Sequence, residues 1–131
     1  MSQDDLKILL VEDNEVDVEV LRRSLRRLSL DLPVVNVHDG EEALALLRPA
    51  NVGEAINRPY ILLVDLNMPR MGGFDLLEEL EGDPSMANVP IYILSTSENP
   101  MDRQRASRYS IRGYITKPLT SSQLCEIVED T

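Results

Sequence analysis

The stretch "YILLVDLNMPRMGG", residues 60–73, contains the feature that decides the fold. Its apolar run, 61–64, stops at a carboxylate, Asp65, and Asn67, a proline and two glycines follow. An apolar run without polar alternation is typical of a strand that is covered on both faces. The stretch therefore predicts a buried strand that ends in an acidic side chain.

Four other short apolar runs, each flanked by helical patterns, resemble this strand. They lie at 7–11, 34–37, 91–94 and 114–116. The first helical pattern spans 14–28, and the second begins at the cap Asp39-Gly40 and ends before Pro49. The third has its apolar side chains at Phe74, Leu77 and Leu80. The fourth runs from Pro100 to about Tyr109, and the fifth from Thr120 to Val128. Strict alternation of five strands and five helices predicts an α/β fold with a parallel sheet and helices on both faces. Ligands of such sheets bind beyond the carboxyl ends of the strands.

Composition and charge limit the class of protein. The chain has 131 residues, which fits a single domain covering 1–131, and its net charge is −10. An acidic chain is a poor direct partner for nucleic acid. One cysteine cannot form an internal disulfide, and the sequence shows neither a signal peptide nor an apolar run that could span a bilayer. These features predict a cytoplasmic protein that contacts no membrane.

Polar groups follow all five predicted strands, and those after four of the strands suggest a common site. Glu12 and Asp13 follow the first run, Asp65 the third, Ser95 and Thr96 the fourth, and Lys117 the fifth. In a parallel sheet these ends share one edge, so the three carboxylates are expected to lie close together. A hard cation such as Mg²⁺ offsets the repulsion among them and readily adds a phosphate oxygen to its ligands.

The combination predicts a phosphoryl-transfer site. Asp65 is the expected nucleophile because it ends the most apolar strand, and an aspartyl-phosphate is the expected product. Glu12, Asp13, Asp65 and the backbone carbonyl of Asn67 are the expected metal ligands. Lys117 would neutralise charge on the transferring group, and Ser95 would donate a hydrogen bond to it.

Five stretches that cover the chain from about residue 6 to 128 resemble the receiver domains of two-component response regulators, including the chemotaxis regulators. They are "ILLVEDNEVD", "VHDGEEALALL", "ILLVDLNMPRMGGFDLLEEL", "VPIYILSTSE" and "RGYITKPLTSSQL". The resemblance implies a doubly wound, flavodoxin-like sheet of order 2-1-3-4-5. It also implies a switch that takes a phosphoryl group from a sensor histidine kinase with Mg²⁺, or Mn²⁺, as cofactor.

The same resemblance assigns roles to single residues. Asp65 matches the phosphoacceptor, Glu12 and Asp13 the metal-binding acidic pair, and Lys117 the catalytic lysine, whose bond to Pro118 is usually cis in the family. Ser95 matches the hydroxyl that moves to the phosphoryl group, and Tyr114 matches the aromatic switch position. The face formed by the fourth helix, fifth strand and fifth helix is where the family usually meets partner proteins or forms homodimers.

Two features depart from the commonest pattern. Thr96 is β-branched where many receivers have a smaller residue, and it is expected to hinder water that approaches the acyl phosphate. The segment 49–59 is longer than in the most compact receivers. With the start "LVEDNEVD", this segment is similar to the phytochrome-associated single-domain regulators.

Two alternatives to a free-standing switch stay open. One is a receiver cut from a longer regulator with a DNA-binding or enzymatic output, although Met1 and the lack of a downstream linker favour a free-standing module. The other is an aspartyl-phosphate phosphatase, which requires a cap domain and a second acid two residues after the nucleophile, where this chain has Asn67. The switch reading expects no turnover substrate, only transfer to Asp65 and hydrolysis from it.

Overall fold

All five strands pair in parallel in one sheet, in the order β2-β1-β3-β4-β5. The structure, a computed structural model, describes residues 6–48, 59–68 and 71–131. The strands are β1 (Lys7–Val11), β2 (Val34–Val37), β3 (Tyr60–Asp65), β4 (Ile91–Ser95) and β5 (Gly113–Thr116). The helices are α1 (Glu15–Arg27), α2 (Gly40–Leu47), α3 (Gly73–Leu80), α4 (Pro100–Ala106) and α5 (Ser121–Glu129). The α/β class and the strand order predicted from the sequence are confirmed.

Helix ends follow the chemistry of their caps. The side chains of Asn14, Asp39 and Asn99 accept backbone N–H groups at the starts of α1, α2 and α4. Thr120 and Gln123 form a complete capping box at the start of α5. Each cap satisfies amides that have no partner within the helix.

The prediction for the fourth helix was wrong at its end. α4 stops at Ala106 rather than near Tyr109, because the following amides bond three residues back instead of four. Arg108 N–H donates to the Arg105 carbonyl, and Tyr109 N–H donates to the Ala106 carbonyl. The hydroxyl of Tyr109 also donates to Glu78 on α3, at 3.0 Å.

Alternate residues of the central strands fill two separate cores. Leu62 and Val64 of β3 lie in the core that also holds α2, α3 and α4 residues, whereas Ile61 and Leu63 lie in the core beneath α1 and α5. Every residue of β3 is buried, which is expected of a central strand with helices on both faces. β3 is therefore fixed from both sides, and Asp65 at its end is fixed with it.

Within the part of the chain that the structure describes, no helix is both long enough and apolar enough to cross a bilayer. The sequence segment 49–59, singled out for its length, lies outside the described residues except for Pro59.

Candidate functional site

The carboxyl edge of the sheet collects the side chains that the sequence predicted to meet there. Asp65 is the last residue of β3 and Ser95 the last of β4, while Glu12 and Lys117 directly follow β1 and β5. The strand register aligns Asp65 with Leu94 and Ser95 with Thr116. Neighbouring strands therefore end at the same level and place these groups side by side.

Three carboxylates form the centre of this edge. One oxygen each from Glu12, Asp13 and Asp65 lies within 4.8 Å of the others. Glu12 is 1% exposed and Asp65 5% exposed, whereas Asp13 is exposed to solvent. The cluster therefore opens to water on the side of Asp13 and is closed by the protein on the other sides.

The donor set suits a hard divalent cation. All three side chains offer oxygen atoms, the ligands that Mg²⁺ prefers, and the open side leaves room for water ligands. Asn67 lies two residues after Asp65, and its backbone N–H donates to Asp65 Oδ1 at 3.4 Å. Its carbonyl stays a predicted ligand.

Lys117 supplies the positive charge of the site. Its ammonium donates to Glu12 Oε1 at 2.6 Å and to Asp17 Oδ2 at 2.8 Å, and it lies 3.5 Å from Asp65 Oδ1. Burial alone would lower the pKa of Lys117, but the hydrogen bonds to Asp17 and Glu12 and the attraction of Asp65 outweigh it and raise the pKa above its ordinary value. The Lys117–Pro118 peptide is cis, as the resemblance implies.

Glu12 shows the opposite balance. Burial raises its pKa to about 7, Lys117 opposes that rise, and Asp65 adds to it. Burial dominates at Glu12, whereas the ion pairs dominate at Lys117. Lys117 therefore carries a positive charge at neutral pH, and its 2.6 Å contact with Glu12 becomes a full ion pair once Glu12 loses its proton near neutral pH. The other oxygen of Glu12 accepts the backbone N–H of Asn14 at 3.2 Å.

Ser95 and Tyr114 are joined through the backbone of one residue, Ser97. Ser95 is fully buried, and its Oγ accepts the N–H of Ser97 at 3.0 Å. The hydroxyl of Tyr114 donates to the carbonyl of Ser97 at 3.2 Å. Thr96, which lies between Ser95 and Ser97 in the chain, is exposed. The two residues predicted to act in switching therefore both form hydrogen bonds with Ser97, a residue that the sequence analysis did not select.

The ring of Tyr114 also lies beneath a cation. The guanidinium carbon of Arg103, on α4, lies 4.5 Å from the ring centroid. A nitrogen of the same guanidinium, Nη2, donates to Thr116 Oγ1 at 3.0 Å. Such a contact is worth roughly 0.5–1 kcal/mol at an exposed site. Tyr114, partly buried, is thus fixed to both the β4–α4 loop and α4.

Sequence reasoning missed Asp17, Ser97 and Arg103. Asp17 had a detectable signal, since it lies one helical turn beyond the acidic pair and can face the same edge. Ser97 contributes its backbone, which no side-chain pattern reveals. Arg103 is one of the two arginines of α4, and its role depends on the distance between α4 and β5.

Comparison with known proteins gives a consistent result. The "Response regulator receiver domain" family profile matches residues 8–129. Response regulator Rcp1 of Synechocystis sp. is 30% identical over 122 residues, or 93% of this chain and 83% of Rcp1.

Two solved structures show the same likeness. One is the phosphorylated cyanobacterial phytochrome response regulator RcpA, with a TM-score of 0.78 and 38% identity over 95% of this chain and 89% of RcpA. The other is the Mn²⁺-bound form of Rcp1, with a TM-score of 0.77 and 29% identity over 96% of this chain and 90% of that one.

Proposed function

Since this chain belongs to the response regulator receiver family, we propose that it is a phosphorylation-dependent switch that accepts a phosphoryl group on Asp65. The observation that carries the proposal is the position of Asp65. It is 5% exposed at the end of a wholly buried strand, within 4.8 Å of two further carboxylates and 3.5 Å from an ammonium. A carboxylate that only ends a strand would not require two further carboxylates and an ammonium around it.

In the proposed reaction, a carboxylate oxygen of Asp65 attacks the phosphorus of a phosphohistidine. A P–O bond forms to Asp65, the P–N bond breaks, and the imidazole leaves with the electron pair. The transferring group is negatively charged, so positive charge fixed beside Asp65 lowers the barrier. Lys117 provides such charge from this chain.

Glu12, Asp13 and Asp65, with the carbonyl of Asn67, would hold Mg²⁺ or Mn²⁺. When bound, the ion supplies Lewis-acid neutralisation of the phosphoryl oxygens. The protein's own part is to keep Asp65 rigid and to orient Lys117. Buried Glu12 orients Lys117 through its 2.6 Å contact with the ammonium.

The signal would leave the site through Ser97. A phosphoryl group adds strong acceptor oxygens, which compete for the Ser95 hydroxyl. If that hydroxyl turns toward the phosphoryl group, it weakens its bond to Ser97 N–H, and the Ser97 carbonyl that holds Tyr114 shifts with it. Ser97 Oγ also donates to Asp102 of α4 at 2.5 Å. The face made by α4, β5 and α5 would then change, and a downstream protein or a second copy of the chain would read the change.

We further propose that the donor is a sensor histidine kinase of the phytochrome type acting in the cytoplasm, that residues 1–131 work as one receiver domain, and that the chain has no turnover substrate. The likeness to a phytochrome response regulator, RcpA, supports the choice of kinase. Thr96, exposed beside Ser95, is proposed to slow hydrolysis by obstructing water.

Transfer of radiolabel tests the proposal. A phytochrome-type histidine kinase, first phosphorylated with labelled ATP, should pass its label to this chain in the presence of Mg²⁺. The label should be lost in base, because acyl phosphates are hydrolysed there. The Asp65→Asn variant should take up no label. Base-stable label on this chain would place the phosphoryl group on a residue other than an aspartate and contradict the assignment.

A further inference from the structure

Asp17 is an acidic neighbour of Lys117 that phosphoryl transfer does not use. Its Oδ2 accepts from the Lys117 ammonium at 2.8 Å, a shorter distance than the 3.5 Å that separates the ammonium from Asp65. Asp17 is not among the three carboxylates whose oxygens lie within 4.8 Å of one another. It therefore acts on Lys117 from outside the proposed metal site.

The start of α1 explains why Asp17 is available for this contact. Asp17 is the third residue of the helix, the position from which a Glu or Gln side chain commonly turns back to the amide of the N-cap residue. That amide, of Asn14, already donates to Glu12 Oε2 at 3.2 Å. Asp17 is thus free to reach Lys117, and it is held by α1, not by the sheet.

An ammonium has three N–H donors. Two of those of Lys117 are taken by Glu12 and Asp17, and the distance to Asp65 exceeds that of a charge-assisted hydrogen bond. We propose that Asp17 is a positioning residue that holds Lys117 back from Asp65 and so lowers the affinity of Asp65 for a phosphoryl group. The inference rests on the proposed function, because it concerns the same lysine.

The expected effect is modest. The side chain of Asp17 is 34% exposed, and partly exposed ion pairs contribute little. Removing the charge of Asp17 should therefore tighten binding of a phosphoryl group about threefold, in line with the range for exposed pairs. A purely structural tie between α1 and the loop after β5 would change stability and leave that affinity unaltered.

A first measurement needs no metal. The chain has two lysines, Lys7 and Lys117, so ¹⁵N NMR of the lysine ammonium groups yields at most two signals. Asp17→Asn should shift the Nζ signal of Lys117 and leave that of Lys7 in place. The matched control is Glu15→Gln, which removes one negative charge from the same helical turn, at a residue whose carboxylate lies 3.7 Å from the His38 ring. An unmoved Lys117 signal in Asp17→Asn would overturn the contact and the inference with it.

The second measurement is the affinity for beryllofluoride in saturating Mg²⁺, followed by NMR titration. Asp17→Asn and Asp17→Ala should bind it about threefold more tightly than wild type, and Glu15→Gln should equal wild type. In a Lys117→Met background, Asp17→Asn should have no effect, because the lysine through which it acts is gone. Equal affinities of wild type and Asp17→Asn, or an equal gain in Glu15→Gln, would overturn this inference alone. A wild-type protein that binds no beryllofluoride would overturn the proposed function as well.

Discussion

The ammonium of Lys117 lies 3.5 Å from Asp65 Oδ1, close enough for strong attraction but outside an ordinary hydrogen bond. Its two short contacts are with the carboxylates of Glu12, at 2.6 Å, and Asp17, at 2.8 Å. Two of the three N–H donors of Lys117 are thus occupied, and the third makes no short contact with Asp65. A phosphoryl oxygen on Asp65 would reach further from the strand than the carboxylate does, and it would complete the set of three.

Replacement of Lys117 tests this position. Lys117→Met keeps a long apolar stem but removes the charge, so beryllofluoride in Mg²⁺ should bind at least about tenfold more weakly, as loss of a charge-assisted hydrogen bond predicts. The control is Lys7→Met, whose lysine begins β1 at the opposite end of the strand and contacts the Pro59 carbonyl. Similar affinities in both variants would show that charge beside Asp65 does not matter.

Mg²⁺ should stabilise the protein through Asp13. A ligand that binds only the folded state adds about 2.7 kcal/mol to the free energy of unfolding at a hundredfold excess over its dissociation constant. We expect the melting temperature of wild type to rise with Mg²⁺ and that of Asp13→Asn to rise much less. Asp31→Asn, an exposed acid outside the site, should behave as wild type. If Asp13→Asn also responds fully, Asp13 is not a ligand.

Glu12 should make the metal-free protein less stable as the pH rises. Its pKa is about 7 in the folded chain against an ordinary 4.5. Between these values the folded chain keeps a proton that the unfolded chain has released. The protonated Glu12 therefore adds its full contribution to the free energy of unfolding below pH 4.5, and this contribution is lost as the pH rises through 7.

Urea unfolding in EDTA at pH 5 and pH 8 measures this effect. Between pH 5 and pH 8, the free energy of unfolding of wild type should fall by about 2–3 kcal/mol more than that of Glu12→Gln, at 1.36 kcal/mol per unit of pKa shift. Parallel losses in the two proteins would mean that Glu12 keeps its ordinary pKa.

The link through Ser97 gives a prediction about signal output. With beryllofluoride and Mg²⁺, amide shifts in α5 should be large in wild type and reduced in both Ser95→Ala and Tyr114→Phe. The second variant removes only the hydroxyl that donates to the Ser97 carbonyl. Tyr109→Phe is its control, since that hydroxyl donates to Glu78 instead. Identical responses of α5 in all four proteins would refute this route.

Much of this arrangement could be predicted from the sequence, because it depends on local pattern. Continuous apolar runs identified the central strands, and the rule that parallel strands end at one edge brought Glu12, Asp65, Ser95 and Lys117 together. Cap residues located helix starts well. The end of α4 was misplaced because a switch to tighter hydrogen bonding after Ala106 leaves no clear mark in the residues.

What the sequence could not show depends on distances between separate elements. That Lys117 bonds Asp17 more closely than Asp65 follows from where α1 packs against the loop after β5. That Tyr114 bonds the Ser97 carbonyl and lies under Arg103 follows from the path of the β4–α4 loop. Both are properties of three-dimensional packing and not of residue spacing.

The most direct test of the central claim is intact-mass measurement after incubation with acetyl phosphate and Mg²⁺. Asp65 is the only proposed acceptor, so wild type should gain one phosphoryl group, and Asp65→Asn should gain none. Asp75→Asn, an exposed acid on the first turn of α3, should label as wild type does. EDTA should abolish the gain in every protein. Wild type that stays unmodified with Mg²⁺, or Asp65→Asn that labels as fully as wild type, would contradict the account.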